Sequence, residues 1–246
     1  MLKRLYDKSN ILFSVLWIVA YCVLMSVGDH LSNILGVEKA VTLPIGAALS
    51  VALAVFLIKN RLLEKYGLCR SAVSAKKMLY FLPCALMLSV NLWQGVSLSR
   101  SAGETLLYVL TMFSVGFLEE VIFRGLLFNA MSEESPRTAV IVSSVTFGMG
   151  HVINLLSGSA DLLPTMLQII YATAAGFMFV MIYVKTRSLI IPIAVHSLFN
   201  GLSAFSGEGL HSNEVQIITC TALTLITGGY AAYLALAVKT GKREKK

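Results

Sequence analysis

Apolar residues in this chain fall into blocks that are long enough to cross a bilayer, and short polar connections separate them. A helix needs about 20 residues to span the hydrocarbon core. Eight blocks can be marked, at 11–27, 41–58, 78–93, 105–130, 138–153, 164–184, 188–205 and 215–238. The pattern therefore predicts an all-α, polytopic membrane helical bundle of about eight transmembrane helices. It forms a single integral membrane domain over 1–246.

Two of the blocks and one connection have features of their own. The third block is short and contains Pro83, and the seventh carries Pro192 near its start, where a helix tolerates proline. The longest connection, 59–77, is basic. Its pattern is typical of an amphipathic segment that lies along the membrane surface.

Composition agrees with a membrane protein. Hydrophobic residues make up 57% of the chain and charged residues 13%, whereas an ordinary soluble domain is about a quarter charged. So few charges could not cover the surface of a soluble fold. The four cysteines are scattered, and their spacing indicates neither a disulfide framework nor a metal-ligand pair.

The lysines and arginines indicate an orientation. If the N-terminus is cytoplasmic and all eight blocks cross, only Lys39 and Arg100 of the 20 basic residues face outside. This asymmetry follows the positive-inside rule. It predicts a multi-pass protein of the cell membrane with both termini in the cytoplasm, and it explains the net charge of +7 without a nucleic-acid partner. The basic tail, 239–246, anchors this topology or contacts anionic lipid.

A few ionisable or amide side chains interrupt the apolar blocks, where each charge costs about 2.5–3.5 kcal/mol on insertion scales. They are Glu119, Glu120 and Arg124 in the fourth block, His151 in the fifth, and His196 and Asn200 in the seventh. Counted from the cytoplasmic ends at 1.5 Å per residue, the glutamates, histidines and asparagine lie roughly 12 to 20 Å deep. The similar depths predict an active site inside the bundle that opens toward the cytoplasm.

The spacing of the charges in the fourth block predicts different roles for its two acids. Glu120 and Arg124 are four residues apart, with the acid first, which is the better order for an ion pair on a helix. Adjacent residues of a helix point in different directions, so Glu119 cannot use the same arginine equally. We therefore predict that Glu120 is a supporting residue, and that Glu119 faces the histidines and the asparagine.

One carboxylate, two imidazoles and a carboxamide in an apolar site indicate that water is activated there. In one version, Glu119, His151 and His196 hold a divalent metal such as zinc, which makes its bound water acidic. In the other, no cofactor is needed: Glu119 and His151 deprotonate the water, and His196 and Asn200 donate hydrogen bonds to the oxyanion. The spacing is compatible with both versions.

Three motifs follow one another on separate blocks, within about 110–205: E-E-x-x-x-R at 119–124, F-x-x-x-H at 147–151 and H-x-x-x-N at 196–200. In these motifs the sequence resembles the CPBP family. That family contains the type II CAAX prenyl proteases and the bacteriocin-processing or immunity membrane proteins of the Abi family. The resemblance implies a catalytic core at about 105–205.

The resemblance also implies an activity, that of an intramembrane endopeptidase acting on a membrane-associated or lipidated peptide or protein. Glu119 would activate water with the help of His151, and His196 and Asn200 would serve as oxyanion donors or metal ligands. Arg124 would support the glutamates. The family has been described both as metalloproteases and as metal-independent enzymes.

Two readings without an enzyme use the same features. Each polar group taken alone is compatible with a structural role, such as an ion pair or a hydrogen bond between helices. A transporter-like or bacteriocin-immunity protein would use the polar cluster to bind an ion or a peptide, although the paired repeats of many transporters are missing from this sequence. A scaffold would recruit partners through 59–77.

Overall fold

The computed structural model describes residues 2–207 and 212–240, and the described chain is an all-α bundle. The helices are α1 (Leu2–Lys8), α2 (Asn10–Leu35), α3 (Thr42–Lys59), α4 (Ala75–Met78), α5 (Phe81–Ser89), α6 (Ala102–Glu119), α7 (Phe128–Ser132), α8 (Pro136–Gly150), α9 (Val152–Leu156), α10 (Leu162–Thr186), α11 (Ile190–Leu202) and α12 (Asn213–Ala237). A π-helix, Glu120–Leu127, joins α6 to α7. Most of the basic tail predicted as an anchor, 241–246, lies outside the described residues.

The predicted polytopic bundle is confirmed. Six helices of the described chain are long and apolar enough to cross a membrane: Asn10–Leu35, Thr42–Lys59, Ala102–Ser132, Pro136–Leu156, Leu162–Thr186 and Asn213–Ala237. The third and seventh blocks also form helices, Leu82–Leu92 and Ile190–Phe205, but both are shorter. The eight blocks therefore correspond to eight apolar helices, two of which fall short of the roughly 20 residues of a full crossing.

Successive crossings give the bundle two ends. We call the end that contains α1 the terminal face and the opposite end the distal face. At the terminal face, Tyr66 Oη donates a hydrogen bond of 2.7 Å to Tyr6 Oη, which joins the 59–77 connection to α1. At the distal face, Arg100 Nε donates one of 2.6 Å to Glu38, which joins the segment before α6 to the turn between α2 and α3. Both ends of the described chain lie at the terminal face.

The basic connection 59–77 is bonded to the bundle and does not simply rest on the membrane surface as predicted. It consists mostly of turns, and Leu189 N donates to Gly67 O at 2.7 Å. Ser188 Oγ donates to Cys69 O at 2.6 Å. Gly67 has a φ of 74° and packs against the Tyr183 ring, so this close approach requires a residue without a Cβ.

Small residues bring the motif-bearing helices close together. A Cβ on Gly116 of α6 would lie 2.8 Å from the backbone nitrogen of Ser197 on α11. A Cβ on Gly148 of α8 would lie 2.9 Å from Ile169 O on α10 and would also clash with Thr173 Oγ1. Close backbone approach at small residues is the usual way in which membrane helices pack. Here it places the fourth, fifth and seventh apolar blocks around one central space.

Candidate active site

The helix changes its hydrogen-bonding pattern at the two glutamates. α6 ends at Glu119, and the eight residues Glu120–Leu127 form a π-helix in which every residue is buried. π-helical turns, with i→i+5 hydrogen bonds, are rare and often lie at functional sites. The sequence analysis predicted a continuous helix here, because hydrophobic periodicity does not distinguish a local i→i+5 turn from i→i+4.

The predicted ion pair between Glu120 and Arg124 is present inside the bundle. Arg124 Nη1 donates to Glu120 Oε1 at 3.0 Å, and both side chains are completely buried. The guanidinium lies 4.0 Å from the centre of the Phe147 ring, within the range of a cation–π interaction. Arg124 therefore belongs to the site and not to the cytoplasmic surface, where the charge count had placed it.

Each carboxylate oxygen of Glu119 has a neighbouring side chain on another helix. Tyr21 Oη donates a hydrogen bond of 2.6 Å to Glu119 Oε1, and His196 Nε2 lies 3.4 Å from Glu119 Oε2. The residue is 8% exposed, and it lines a cavity inside the bundle. Unlike Glu120, Glu119 thus faces a space that a substrate and water can enter.

His196 contacts both acids, which corrects the predicted division of roles. Its Nδ1 lies 2.8 Å from Glu120 Oε1, the same oxygen that accepts from Arg124. Glu120 is therefore not a partner of Arg124 alone; it also orients the imidazole that faces Glu119. The Phe179 ring stacks on His196, with centroids 5.3 Å apart and planes inclined by 20°. Because both nitrogens of His196 face carboxylates, this geometry does not favour the predicted role of oxyanion donor.

His151 and Asn200 line the same cavity as Glu119 and His196, as the motif spacing predicted. His151 lies at the junction of α8 and α9. Its ring packs edge-to-face with the Phe147 ring, with centroids 5.7 Å apart. Within the described part of the chain, neither the His151 ring nor the Asn200 carboxamide has a hydrogen-bonding partner. Both groups are half-buried, so both can donate hydrogen bonds to a bound molecule.

The cavity has a volume of about 370 Å³ and reaches the distal face of the bundle. Beyond the motif residues, its lining includes Asp29 and Lys39 near the turn from α2 to α3, and Tyr108 near the start of α6. The sequence analysis predicted an opening on the cytoplasmic side, which by the charge count is the terminal face. The cavity reaches the distal face instead, so a cytoplasmic terminal face and a cytoplasmic opening cannot both hold. Depth along a helix does not reveal at which end of a bundle a cavity opens.

Charged residues surround the distal end of the cavity. Lys39 Nζ pairs with Asp29 Oδ1 at 2.9 Å, and Thr42 Oγ1 donates to the same oxygen at 2.6 Å. Arg100 pairs with Glu38. The hydrogen bond that Arg100 donates to this carboxylate raises the pKa of its guanidinium. The two ion pairs fasten the turn between α2 and α3 beside the mouth. Lys39 and Arg100 are the two basic residues that the charge count assigned to the outside.

Comparison with known proteins gives one family and one curated relative. Residues 101–202 match the family of Type II CAAX prenyl endopeptidases, Rce1-like. A curated protein of Bacillus subtilis (strain 168), "Putative membrane peptidase YdiL", is 37% identical over 84 residues, which cover 34% of this chain and 30% of that protein. These matches support a CPBP-family protease. All seven residues of the three motifs lie within 101–202.

The three residues proposed as metal ligands, Glu119, His151 and His196, do not form one ligand set. Among the described residues, the structure has no group of three histidine, cysteine, aspartate or glutamate side chains placed to hold one ion. Glu119 and His196 approach each other, but His151 does not complete a ligand set with them. A catalytic zinc site needs three protein ligands around the ion. The donors as arranged do not fit a metal, and we derive no step through one.

Sequence reasoning missed two residues that contact the CPBP motifs. Tyr21 on α2 bonds to Glu119, and Phe179 on α10 stacks on His196. For Tyr21 there was a signal, because a buried phenol usually has a hydrogen-bonding partner, and this one lies in the middle of an apolar block. Phe179 had none, since a phenylalanine in a membrane helix is ordinary.

Proposed function

We propose that this protein is an intramembrane endopeptidase in which Glu119 activates water. The observation that carries the proposal is the difference between the surroundings of the two buried acids. Glu120 is paired with Arg124 away from the cavity, whereas Glu119 lines the cavity together with His151 and Asn200. A buried carboxylate beside a cavity, with hydrogen-bond donors on other helices, is suited to general-base catalysis.

The reaction adds water across a peptide bond. Glu119 takes a proton from a water molecule in the cavity while the water oxygen attacks the carbonyl carbon. The Asn200 amide and an N–H of His151 donate hydrogen bonds to the resulting oxyanion. The tetrahedral intermediate then collapses, the C–N bond breaks, and the proton held by Glu119 passes to the departing amine. Glu119 thereby returns to its starting state.

His196 and Glu120 hold the base in place. With the proton on Nδ1, His196 donates to Glu120 Oε1 at 2.8 Å and presents Nε2 toward Glu119 Oε2. Nε2 then accepts a hydrogen bond from the Glu119 carboxyl once that group has taken a proton. Arg124 donates to the same oxygen of Glu120 and thereby holds the acceptor of His196 in place.

We propose that both termini are cytoplasmic and that the active-site cavity faces the outside of the cell membrane. The positive-inside asymmetry supports the orientation, and the lining of the cavity by Asp29 and Lys39 supports the direction of its mouth. The substrate is then a membrane-associated or lipidated peptide or protein segment that arrives from outside. Membrane lipids surround the bundle, and no nucleic acid takes part.

Two native cysteines test this orientation. Cys22 lines the cavity, whereas Cys69 lies in the 59–77 connection at the terminal face, and both are half-buried. In intact cells, a small membrane-impermeant thiol reagent is expected to label Cys22 and to spare Cys69 until the membrane is opened. Mass spectrometry of wild type, Cys22→Ser and Cys69→Ser assigns the label. Labelling of Cys69 but not Cys22 in intact cells would reverse the proposed orientation.

The peptidase activity is tested with purified protein in detergent and a library of quenched fluorescent peptides. Wild type is expected to cleave a subset of them, and Glu119→Ala and His196→Ala are expected to cleave none. Glu134→Ala, at an exposed glutamate in the turn after α7, serves as the matched control. Because no metal is used in the proposed step, chelation is expected to leave the rate unchanged. If wild type and variants are equally inactive on every peptide but still confer a cellular phenotype, the transporter-like or immunity reading is favoured.

A further inference from the structure

We propose that Tyr21 is a positioning residue for the general base, which rests on the proposed function of Glu119. Tyr21 lies near the middle of α2, outside the segment that matches the CAAX endopeptidase family. The first crossing helix would then be a working part of the active site as well as part of the wall that surrounds it.

The contact is short, buried and specific to one oxygen. Tyr21 Oη donates to Glu119 Oε1 at 2.6 Å across 98 residues of sequence, a typical length for a hydrogen bond from a hydroxyl to a carboxylate. Tyr21 is 8% exposed and lines the same cavity as Glu119. Its hydroxyl therefore reaches the acid from a different helix, within the lining of the same cavity.

Because of this hydrogen bond, the two carboxylate oxygens of Glu119 have different neighbours. Oε1 is occupied by the phenol, and Oε2 faces His196 Nε2 at 3.4 Å. With Oε1 held by the phenol, the carboxylate plane cannot rotate freely about its last bond. A general base must contact a water molecule and later return the proton. A fixed orientation favours both steps, because the reaction rate falls steeply when a catalytic group is misplaced.

Fixing the carboxylate affects the chemical step more than substrate binding. Without the phenol hydroxyl, Glu119 would still face the cavity, but in several orientations. Substrate contacts made by other parts of the cavity would remain. Loss of the hydroxyl is therefore expected to lower kcat by roughly 10- to 100-fold, the range of a hydrogen bond to a charged group, with little change in KM.

Tyr21→Phe tests the proposal, and Tyr230→Phe is the matched control. Tyr230 is another buried tyrosine in a membrane helix; its hydroxyl donates a 2.7 Å hydrogen bond to Met78 O, and it does not line the cavity. Both variants lose one buried hydrogen bond of similar length. We expect Tyr21→Phe to lower kcat at nearly constant KM, and Tyr230→Phe to keep the kcat of wild type. Thermal unfolding in detergent shows whether each variant is folded.

Two outcomes would overturn the proposal: an unchanged or increased kcat in Tyr21→Phe, or equal losses in both variants. A wild type without peptidase activity would instead count against the proposed function. The positioning role then has a separate readout in the infrared carboxylate band of Glu119, identified by its absence in Glu119→Gln. Tyr21→Phe is expected to shift this band and Tyr230→Phe to leave it in place. An unshifted band in Tyr21→Phe would also contradict the proposal.

Discussion

Glu119→Gln is expected to lower kcat by about 10²- to 10⁴-fold, the range usually supplied by a positioned general base, and to leave the folded protein intact. Glutamine keeps the shape of the side chain. Its carbonyl oxygen can still accept from Tyr21, and its amide can face His196, so the surrounding packing is retained. An amide cannot take a proton from water at neutral pH, which removes the step on which the proposed reaction depends.

The measurement is cleavage of the best quenched peptide by purified wild type and variant, with unfolding temperature and purified yield recorded for both. Glu134→Gln makes the same chemical change at an exposed position and is expected to behave like wild type. A folded Glu119→Gln protein that retains more than a tenth of the wild-type kcat would contradict the assignment of Glu119 as the base. A large loss of yield would instead give Glu119 a structural role.

Arg124→Met is expected to reduce stability by about 3–5 kcal/mol, the typical loss when one partner of a buried ion pair is removed. Arg124 and Glu120 are both completely buried. Methionine fills much of the space but leaves the Glu120 carboxylate in an apolar region without its cation. His196 alone would remain beside Glu120 Oε1.

Chemical unfolding in detergent, followed by tryptophan fluorescence, measures this loss. Lys3→Met is a well-matched control, because Lys3 and Asp7 form an ion pair with the same four-residue spacing but are exposed. Pairs of that kind contribute under about 1 kcal/mol. The double variant Glu120→Gln with Arg124→Met should recover part of the stability, since it no longer buries an unpaired charge. Equal losses for Lys3→Met and Arg124→Met would show that the buried pair has no special structural role.

These two predictions assign different roles to Glu119 and Glu120, and the structure changes the role of Glu120. The sequence analysis gave Glu120 a supporting role through Arg124 alone. The bond from His196 to the same carboxylate links Glu120 to the base as well. A variant of Glu120 is therefore expected to affect catalysis in addition to yield, whereas Glu119 acts mainly on catalysis.

The sequence by itself determined the helical bundle and the members of the site. Backbone groups in lipid must be satisfied within the chain, so long apolar blocks can only be helices. Ionisable groups at membrane depth are costly, so Glu119, Glu120, Arg124, His151 and His196 could be predicted to form one group before any fold was known. The order of the three motifs also indicated the family that residues 101–202 match.

Only the tertiary structure decided how these groups face one another. The π-helix after Glu119, the position of His196 between two carboxylates and the bond from Tyr21 depend on the rotation and separation of packed helices. The same holds for the cavity, whose lining reaches Asp29 and Lys39 at the distal face. Periodicity fixes which face of a helix is apolar, but contacts between residues 76 or 98 positions apart depend on how the helices pack. At Gly116, for example, α6 approaches the backbone of α11 closely enough for Glu120 to meet His196.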